Sequence, residues 1–194
     1  MIETYESKPI VTDRLILKKG LLEDYLSVYE YDFRKLRNID NEFKFCKTDL
    51  NEIQKWFEPS IKQYYLDSEK NHMFDWLIYL KKTNLPIGNL TADRENIERK
   101  EIEIAFNLHP NYWGNGYMPE AVISVMQYFF EIGYENIVCG YDEGNIKSKK
   151  VIEKIGFEEF EYLKAAWIKN GKPISSSVKT VFTKEKWLSN SVKK

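Results

Sequence analysis

Cysteine and histidine are scarce in this chain, with two of each among 194 residues: Cys46 and Cys139, His72 and His109. The cysteines stand in unrelated contexts with no CxxC and no Cys/His ligand spacing, and the histidines are far apart. A cysteine redox motif and a metal centre are therefore not expected, and neither histidine is assigned to catalysis. An excess of charge of one sign is also lacking. Lys and Arg number 29 against 30 Asp and Glu, for a net charge of -1. Bulk attraction to nucleic acid or to an anionic membrane is thus not expected. No apolar run reaches membrane length and no leader-like apolar segment opens the chain, so the expectation is a cytoplasmic, soluble protein. There is no repeat, low-complexity tract or interdomain linker. Asn89-Leu90-Thr91 is a formal glycosylation sequon, read here as chance within a strand.

What is present suits one well-buried domain over residues 1–194: 43% hydrophobic and 15% aromatic residues. In order, Thr12 to Leu17 alternates as a first strand, preceded by a polar segment expected to fray. Leu22, Tyr25, Leu26, Tyr29, Phe33 and Leu36 recur at helical spacing and predict a helix from Leu21 to Arg37. After a loop at Asn38 to Lys47, Thr48 or Asp49 caps a second helix carrying Leu50, Ile53, Trp56, Phe57 and Ile61, with Pro59 as a candidate kink. Met73 to Lys81 and Leu85 to Ala92 read as a hairpin, followed by a polar loop from Asp93 to Lys100. Phe157 to Ile168 and Ser177 to Thr183 read as a closing hairpin across Asn170-Gly171-Lys172-Pro173.

The middle of the chain, Glu101 to Phe157, carries the densest pattern. Ile102, Ile104, Phe106 and Leu108 alternate with Glu101, Glu103, Ala105 and Asn107, which predicts a strand closed by Pro110. The loop Asn111-Tyr112-Trp113-Gly114-Asn115-Gly116 has two glycines one residue apart and opens into a helix. Pro119 fits its first turn, Ala121, Val122, Val125, Met126 and Phe129 keep its period, and Gly133 ends it. A glycine loop feeding a helix start presents unpaired amides and the positive end of the helix dipole, which suits phosphate groups. The stretch GNGYMP is neither a dinucleotide GxGxxG nor a Walker loop. A strand over Asn136 to Tyr141 follows, then Asn145-Ile146-Lys147-Ser148, a helix with Val151, Ile152 and Ile155, and Gly156-Phe157.

Together, EIAF…HPNYWGNGYMPEA and NxxS…VIEKIGF resemble the two conserved segments of the GNAT-type acyl-CoA-dependent N-acetyltransferases, especially their ribosomal-protein N-terminal acetyltransferase branch. The resemblance covers nearly the whole chain. It implies an α/β fold with a mixed α+β sheet, in the order βααβββαβαββ, whose central strands splay to admit acyl-CoA. It also implies acetyl-CoA as cosubstrate, bound by Asn107 and Leu108 and by Trp113, Gly114, Asn115, Gly116, Tyr117 and Met118, chiefly through backbone, with Asn145 and Ser148 at the second segment. Trp113 and Met118 depart from the family's polar and small residues. No metal, nucleic acid or membrane partner is implied, the acceptor is an amine on a peptide N-terminus or a small molecule, and a homodimer is compatible with the sequence.

Acetyl transfer from a thioester to an amine needs a neutral amine, a donor for the carbonyl and a proton for the thiolate. Most relatives place a tyrosine seven residues after the conserved asparagine, but here that position is Ile152. Ser148 is then the candidate proton donor, against a plain role in capping helix amides. Asn145 is both a cap and a candidate orienting group. Glu103, next to the expected acyl site, is the candidate base, against a solvated strand charge paired with a lysine. A second carboxylate of the ribosomal branch falls at Trp167. Lys147, Lys149 and Lys150 offer charge for CoA phosphates, with a solvated helix face the favoured reading for at least two of them. Tyr31, Asp32, Phe33, Asp40, Glu42, Phe43 and Phe45 are acceptor-side candidates. The competing reading is a non-catalytic acyl-CoA-binding or regulatory module of the same fold, suggested by Ile152 and Trp167.

Overall fold

The computed structural model describes residues 7–28, 59–67, 74–169 and 172–191. Eight strands join in the hydrogen-bonded order β1-β2-β3-β4-β5-β6-β8-β7. They are β1 (Ile10–Val11), β2 (Leu15–Lys18), β3 (Phe74–Leu80), β4 (Pro86–Asn96), β5 (Glu101–Leu108), β6 (Asn136–Asp142), β7 (Glu158–Lys169) and β8 (Lys172–Thr183). Three helices have both ends described: α1 (Tyr117–Glu131), α2 (Ile146–Ile155) and α3 (Lys184–Ser191). Residues 22–28 and 59–67 are also helical. The predicted loop Asn38 to Lys47, most of the second predicted helix, Cys46 and His72 lie outside the described residues, as do residues 29–37 of the first predicted helix. The chain divides into two compact units, Tyr5–Thr91 with Phe106–Tyr117, and Met1–Thr4 with Ala92–Ala105 and Met118–Lys194. Strands β4 and β5 each run through both.

In the first unit the single predicted strand Thr12 to Leu17 is instead two short strands around a tight turn. Thr12 N–H donates to the Leu15 carbonyl at 3.0 Å, and Leu15 N–H donates to Thr12 Oγ1 at 3.0 Å. A threonine hydroxyl offers the backbone this local alternative to a ladder, which alternation alone cannot reveal. Of the residues before the turn, 1–6 lie outside the described residues, and Ser7 and Lys8 are tied down: Trp76 Nε1 donates to the Lys8 carbonyl at 2.8 Å and Asp75 N–H to Ser7 Oγ at 2.7 Å. Tyr25, Val28, Ile61, Leu77 and Tyr79 form a buried cluster. Asp75 sits fully buried on β3, accepting from Tyr25 Oη at 2.5 Å, and burial pushes its carboxyl up to about 6. Asn89 of the formal sequon is a buried residue of β4.

In the second unit, α1 buries Met118, Ala121, Val122, Val125, Met126, Phe129 and Phe130, spaced alternately three and one residues apart as one helical face requires. Gly133 beyond it has φ +111, and Phe129 packs edge-on to Tyr134 at 5.3 Å. Strand β4 continues to Asn96, so the loop predicted from Asp93 shrinks to residues 97–100, closed by Asn96 Oδ1 accepting from Arg99 N–H at 3.1 Å. Polar residues there mark an exposed stretch of strand, which a composition-based reading takes for a loop. The parallel pairing of β5 with β6 runs from Glu101↔Asn136 to Ile104↔Cys139, while the strands themselves go on to Leu108 and Asp142. Cys139 is a free thiol, and burial pushes it up to about 12. The closing hairpin forms as expected, with β8 starting earlier, at Lys172. Helix α3 was not anticipated. Thr183 Oγ1 accepts from Lys186 N–H at 3.2 Å at its start, and Trp187 packs on Phe130 at 5.6 Å.

Candidate functional site

The glycine loop is assembled in the first unit by side chains that engage its carbonyls. Strand β5 ends against β4 at Gly88, where a Cβ would collide with the Asn107 carbonyl and lie 3.0 Å from Leu108 Cα. His109 N–H donates to the Ile87 carbonyl at 2.8 Å, continuing the chain past the strand. A short 3₁₀ turn, Pro110–Tyr112, follows, capped by His109 Nδ1 accepting from Asn111 N–H at 3.2 Å. Burial lowers the His109 pKa, which keeps the imidazole neutral and able to accept there.

Trp113 Nε1 donates to the Leu108 carbonyl at 2.7 Å, and Asn115 Nδ2 donates to the carbonyls of Tyr112 at 3.2 Å and Trp113 at 3.0 Å. Arg14 Nη1, from the β1–β2 turn, donates to the Asn115 carbonyl at 2.9 Å. Gly114 and Gly116 have φ +76 and φ +75, a conformation that glycine adopts without the Cβ penalty. The amides of Gly114, Asn115 and Gly116 have no protein acceptor among the described residues. Helix α1 begins directly after the loop, at Tyr117, with the positive end of its dipole at that start. Carbonyls engaged and amides left over is the arrangement an anion needs. Met118 is 3% exposed and belongs to the buried face of α1.

The second unit holds the side chains with chemistry. Glu103, on β5 between buried Ile102 and Ile104, has a side chain 18% exposed and meets Arg94 Nη1 at 3.3 Å and Lys179 Nζ at 3.2 Å. Lys179 lies opposite Gly140 in the β6–β8 ladder, and its side chain reaches Glu103 on β5. Asn145 caps α2, its Oδ1 accepting from Ser148 N–H at 3.1 Å. The Ser148 amide is thus what the cap engages, whereas its half-buried hydroxyl has no hydrogen-bond partner among the described residues. Ile152, at the position of the family tyrosine, is 1% exposed and serves the core. Lys149 is held by Glu153 at 3.8 Å and Glu159 at 3.9 Å, in keeping with a solvated helix face.

Asn107, Leu108, Trp113, Gly114, Asn115, Gly116 and Tyr117 thus fall in one continuous piece of the first unit. Asn145 and Ser148 are joined by a hydrogen bond in the second, where Glu103 is tied to two cations. Tyr31, Asp32, Phe33, Asp40, Glu42, Phe43 and Phe45 lie outside the described residues. Sequence reasoning did not find Arg14, Gly88, Arg94 or Lys179, because each acts on a partner distant in the chain or on a neighbouring strand. Among the described residues no cluster of three or more His, Cys, Asp or Glu could hold a metal ion, and no helix is long and apolar enough to cross a membrane.

Comparison with known proteins bears on what this arrangement is for. Residues 14–158 match the family model described as acetyltransferase (GNAT) domain. An uncharacterised N-acetyltransferase, YnaD of Bacillus subtilis, is 24% identical over 156 residues, covering 80% of this chain and 85% of the relative. An uncharacterised N-acetyltransferase of Schizosaccharomyces pombe is 34% identical over 73 residues, 38% of this chain and 39% of the relative. Among solved structures, a ribosomal L7/L12 alpha-N-protein acetyltransferase in complex with coenzyme A superposes with a TM-score of 0.71 at 16% identity, over 92% of this chain and 99% of that one. That likeness speaks to the fold. With the family model spanning both the glycine loop and the Asn145–Ser148 cap, the chain belongs to the GNAT acetyltransferase family and is an acetyl-CoA-dependent N-acetyltransferase.

Proposed function

We propose that the protein passes the acetyl group of acetyl-CoA directly to a primary amine, a protein N-terminus or a small amine, within a ternary complex. The observation that carries this reading is the loop from Leu108 to Gly116, whose carbonyls at residues 108, 112, 113 and 115 are taken by side chains while its glycine amides stay available at a helix start. Amides fixed in advance bind a diphosphate without reordering the loop.

The remaining residues have roles in the same reaction. The backbone of Asn107 and Leu108 lies along the pantetheine arm and offers an amide to the acyl carbonyl. Asn145 orients the first turn of α2 through the Ser148 amide, which leaves Ser148 Oγ able to donate its proton to the departing thiolate. Glu103 accepts the proton of the attacking amine, directly or through water. The C–N bond forms as the C–S bond breaks, and an amide and the CoA thiol leave. Ion pairing to Arg94 and Lys179 favours a second role for Glu103, that of a fixed anion with water as base. Ile152, buried at the position of the family's proton-donating tyrosine, leaves that donation to another group.

The test is an acceptor panel with acetyl-CoA, read by mass spectrometry and thiol release. Ribosomal-protein N-terminal peptides stand beside polyamines and aminoglycosides, the peptides included because a structural neighbour is named for that acceptor. Acetylation of at least one acceptor, with matching thiol release, is expected. Tight acetyl-CoA binding without turnover on any of them would overturn direct transfer to these amines.

A further inference from the structure

The loop that the reading above assigns to the diphosphate carries no acidic or basic residue from Asn107 to Met118 apart from His109, which burial keeps neutral. Its cation comes from elsewhere in the chain. The Arg14 guanidinium donates to the Asn115 carbonyl at 2.9 Å and lies 4.7 Å over the Tyr117 ring, and its Nη2 is 3.5 Å from where a Cβ on Gly116 would be. It therefore contacts Asn115 and Tyr117 and lies beside Gly116, the residues at which the loop turns into α1.

The backbone that carries Arg14 is held in place. Its turn is closed on both sides by the Thr12–Leu15 hydrogen bonds, its carbonyl accepts from Lys81 N–H at 2.9 Å, and Lys81 Nζ holds the Thr12 carbonyl at 3.1 Å. A guanidinium already held by the Asn115 carbonyl and the Tyr117 ring loses less freedom on meeting an anion than an unheld one, and its planar fork carries several donors. Lysine could supply the charge but not the fork.

Resting on the proposed acetyl-CoA reading, we propose that Arg14 is a positioning and specificity residue for the cosubstrate's diphosphate: it pins the Asn115 carbonyl so that the neighbouring amides face the ligand, and it supplies the loop's positive charge. Ligands with the diphosphate should therefore depend on Arg14, and ligands lacking it should not.

The experiment compares wild type, Arg14→Ala and Arg14→Lys for binding of acetyl-CoA and of S-acetyl-pantetheine, which keeps the thioester and arm but lacks the nucleotide. Calorimetry at two salt concentrations and thermal melts accompany each variant. Arg14→Ala is expected to raise the acetyl-CoA Kd about tenfold and to flatten its salt dependence, since a charge-assisted contact is lost, while S-acetyl-pantetheine binding stays unchanged. Arg14→Lys should recover the salt dependence and part of the affinity. Unchanged acetyl-CoA affinity in folded Arg14→Ala, or equal loss of both ligands, overturns the role of Arg14 alone. Failure of wild type to bind acetyl-CoA overturns the functional reading beneath it.

Discussion

The glycine loop and the Glu103–Ser148 region are built on opposite principles. Under the proposed function the working atoms of the loop are backbone amides, and side chains serve as scaffolding: Trp113, Asn115 and Arg14 each use a donor to engage a carbonyl. Under the same proposal the working atoms of the second unit are side chains, with Asn145 holding the Ser148 amide while the Ser148 hydroxyl is left for chemistry. The loop should therefore tolerate changes of side-chain chemistry that preserve its shape, and fail when backbone geometry is disturbed. The Glu103–Ser148 region should show the reverse.

The largest effect that would break this contrast is expected at Gly116. At φ +75 a β-branched residue is strained, so Gly116→Val should weaken acetyl-CoA binding by about 100-fold or more by forcing the loop out of its amide-presenting shape. Calorimetry on the folded variant measures this, and wild-type affinity would remove the loop as the cosubstrate site. Next comes Ser148→Ala. General acid assistance is worth about 10²–10⁴-fold, and a thiolate leaves fairly well unaided, so kcat should fall toward the low end, about 100-fold, with the acetyl-CoA Kd unchanged. Full kcat, or loss only in step with melting temperature, would return Ser148 to a purely structural place in α2.

A smaller change, about tenfold in kcat and steepest at low pH where the acceptor amine is most protonated, is expected for Glu103→Gln. Removing Lys179 as well, by Lys179→Met, sharpens the comparison. If Glu103 is only an anion fixed by two cations, the double variant should recover wild-type turnover. The smallest signal is a stability slope in the first unit. Asp75 has its carboxyl raised from 3.8 to about 6 by burial, so the neutral form favours the folded state. That contribution is complete below about pH 4 and is lost as pH rises through 6. The melting temperature should fall by a few degrees across this window, and Asp75→Asn should abolish the slope. A flat profile in wild type would show that Tyr25 compensates the ionised carboxylate.

Legibility in the sequence followed the range of the interaction. The β5 strand, helix α1 with its start near Pro119 and its glycine stop, and the Asn145 cap with Gly156 closing α2 were all readable, because each depends on residues within a turn or two. The turn at Thr12, the extension of β4 to Asn96 and the helix α3 were not read. In the first, a side-chain hydrogen bond replaced a ladder; in the second, an exposed polar strand looked like a loop. The Thr183 cap of α3 was a local signal that went unused.

By itself the sequence determined the periodic elements, the glycine loop at a helix start and the candidate set of Glu103, Asn145 and Ser148, since hydrophobic spacing, positive φ and capping are local demands on the chain. The tertiary structure alone decided that Arg14 reaches Asn115, that Gly88 admits the Asn107 carbonyl, that Lys179 of β8 meets Glu103 of β5, and that Ser148 gives its amide but not its hydroxyl to the cap. The Ser148 arrangement turns on which atom the Asn145 side chain meets once α2 has formed. The other three depend on which strands lie side by side and on where a side chain is missing, and strand pairing between distant segments leaves no mark in the local order of residues.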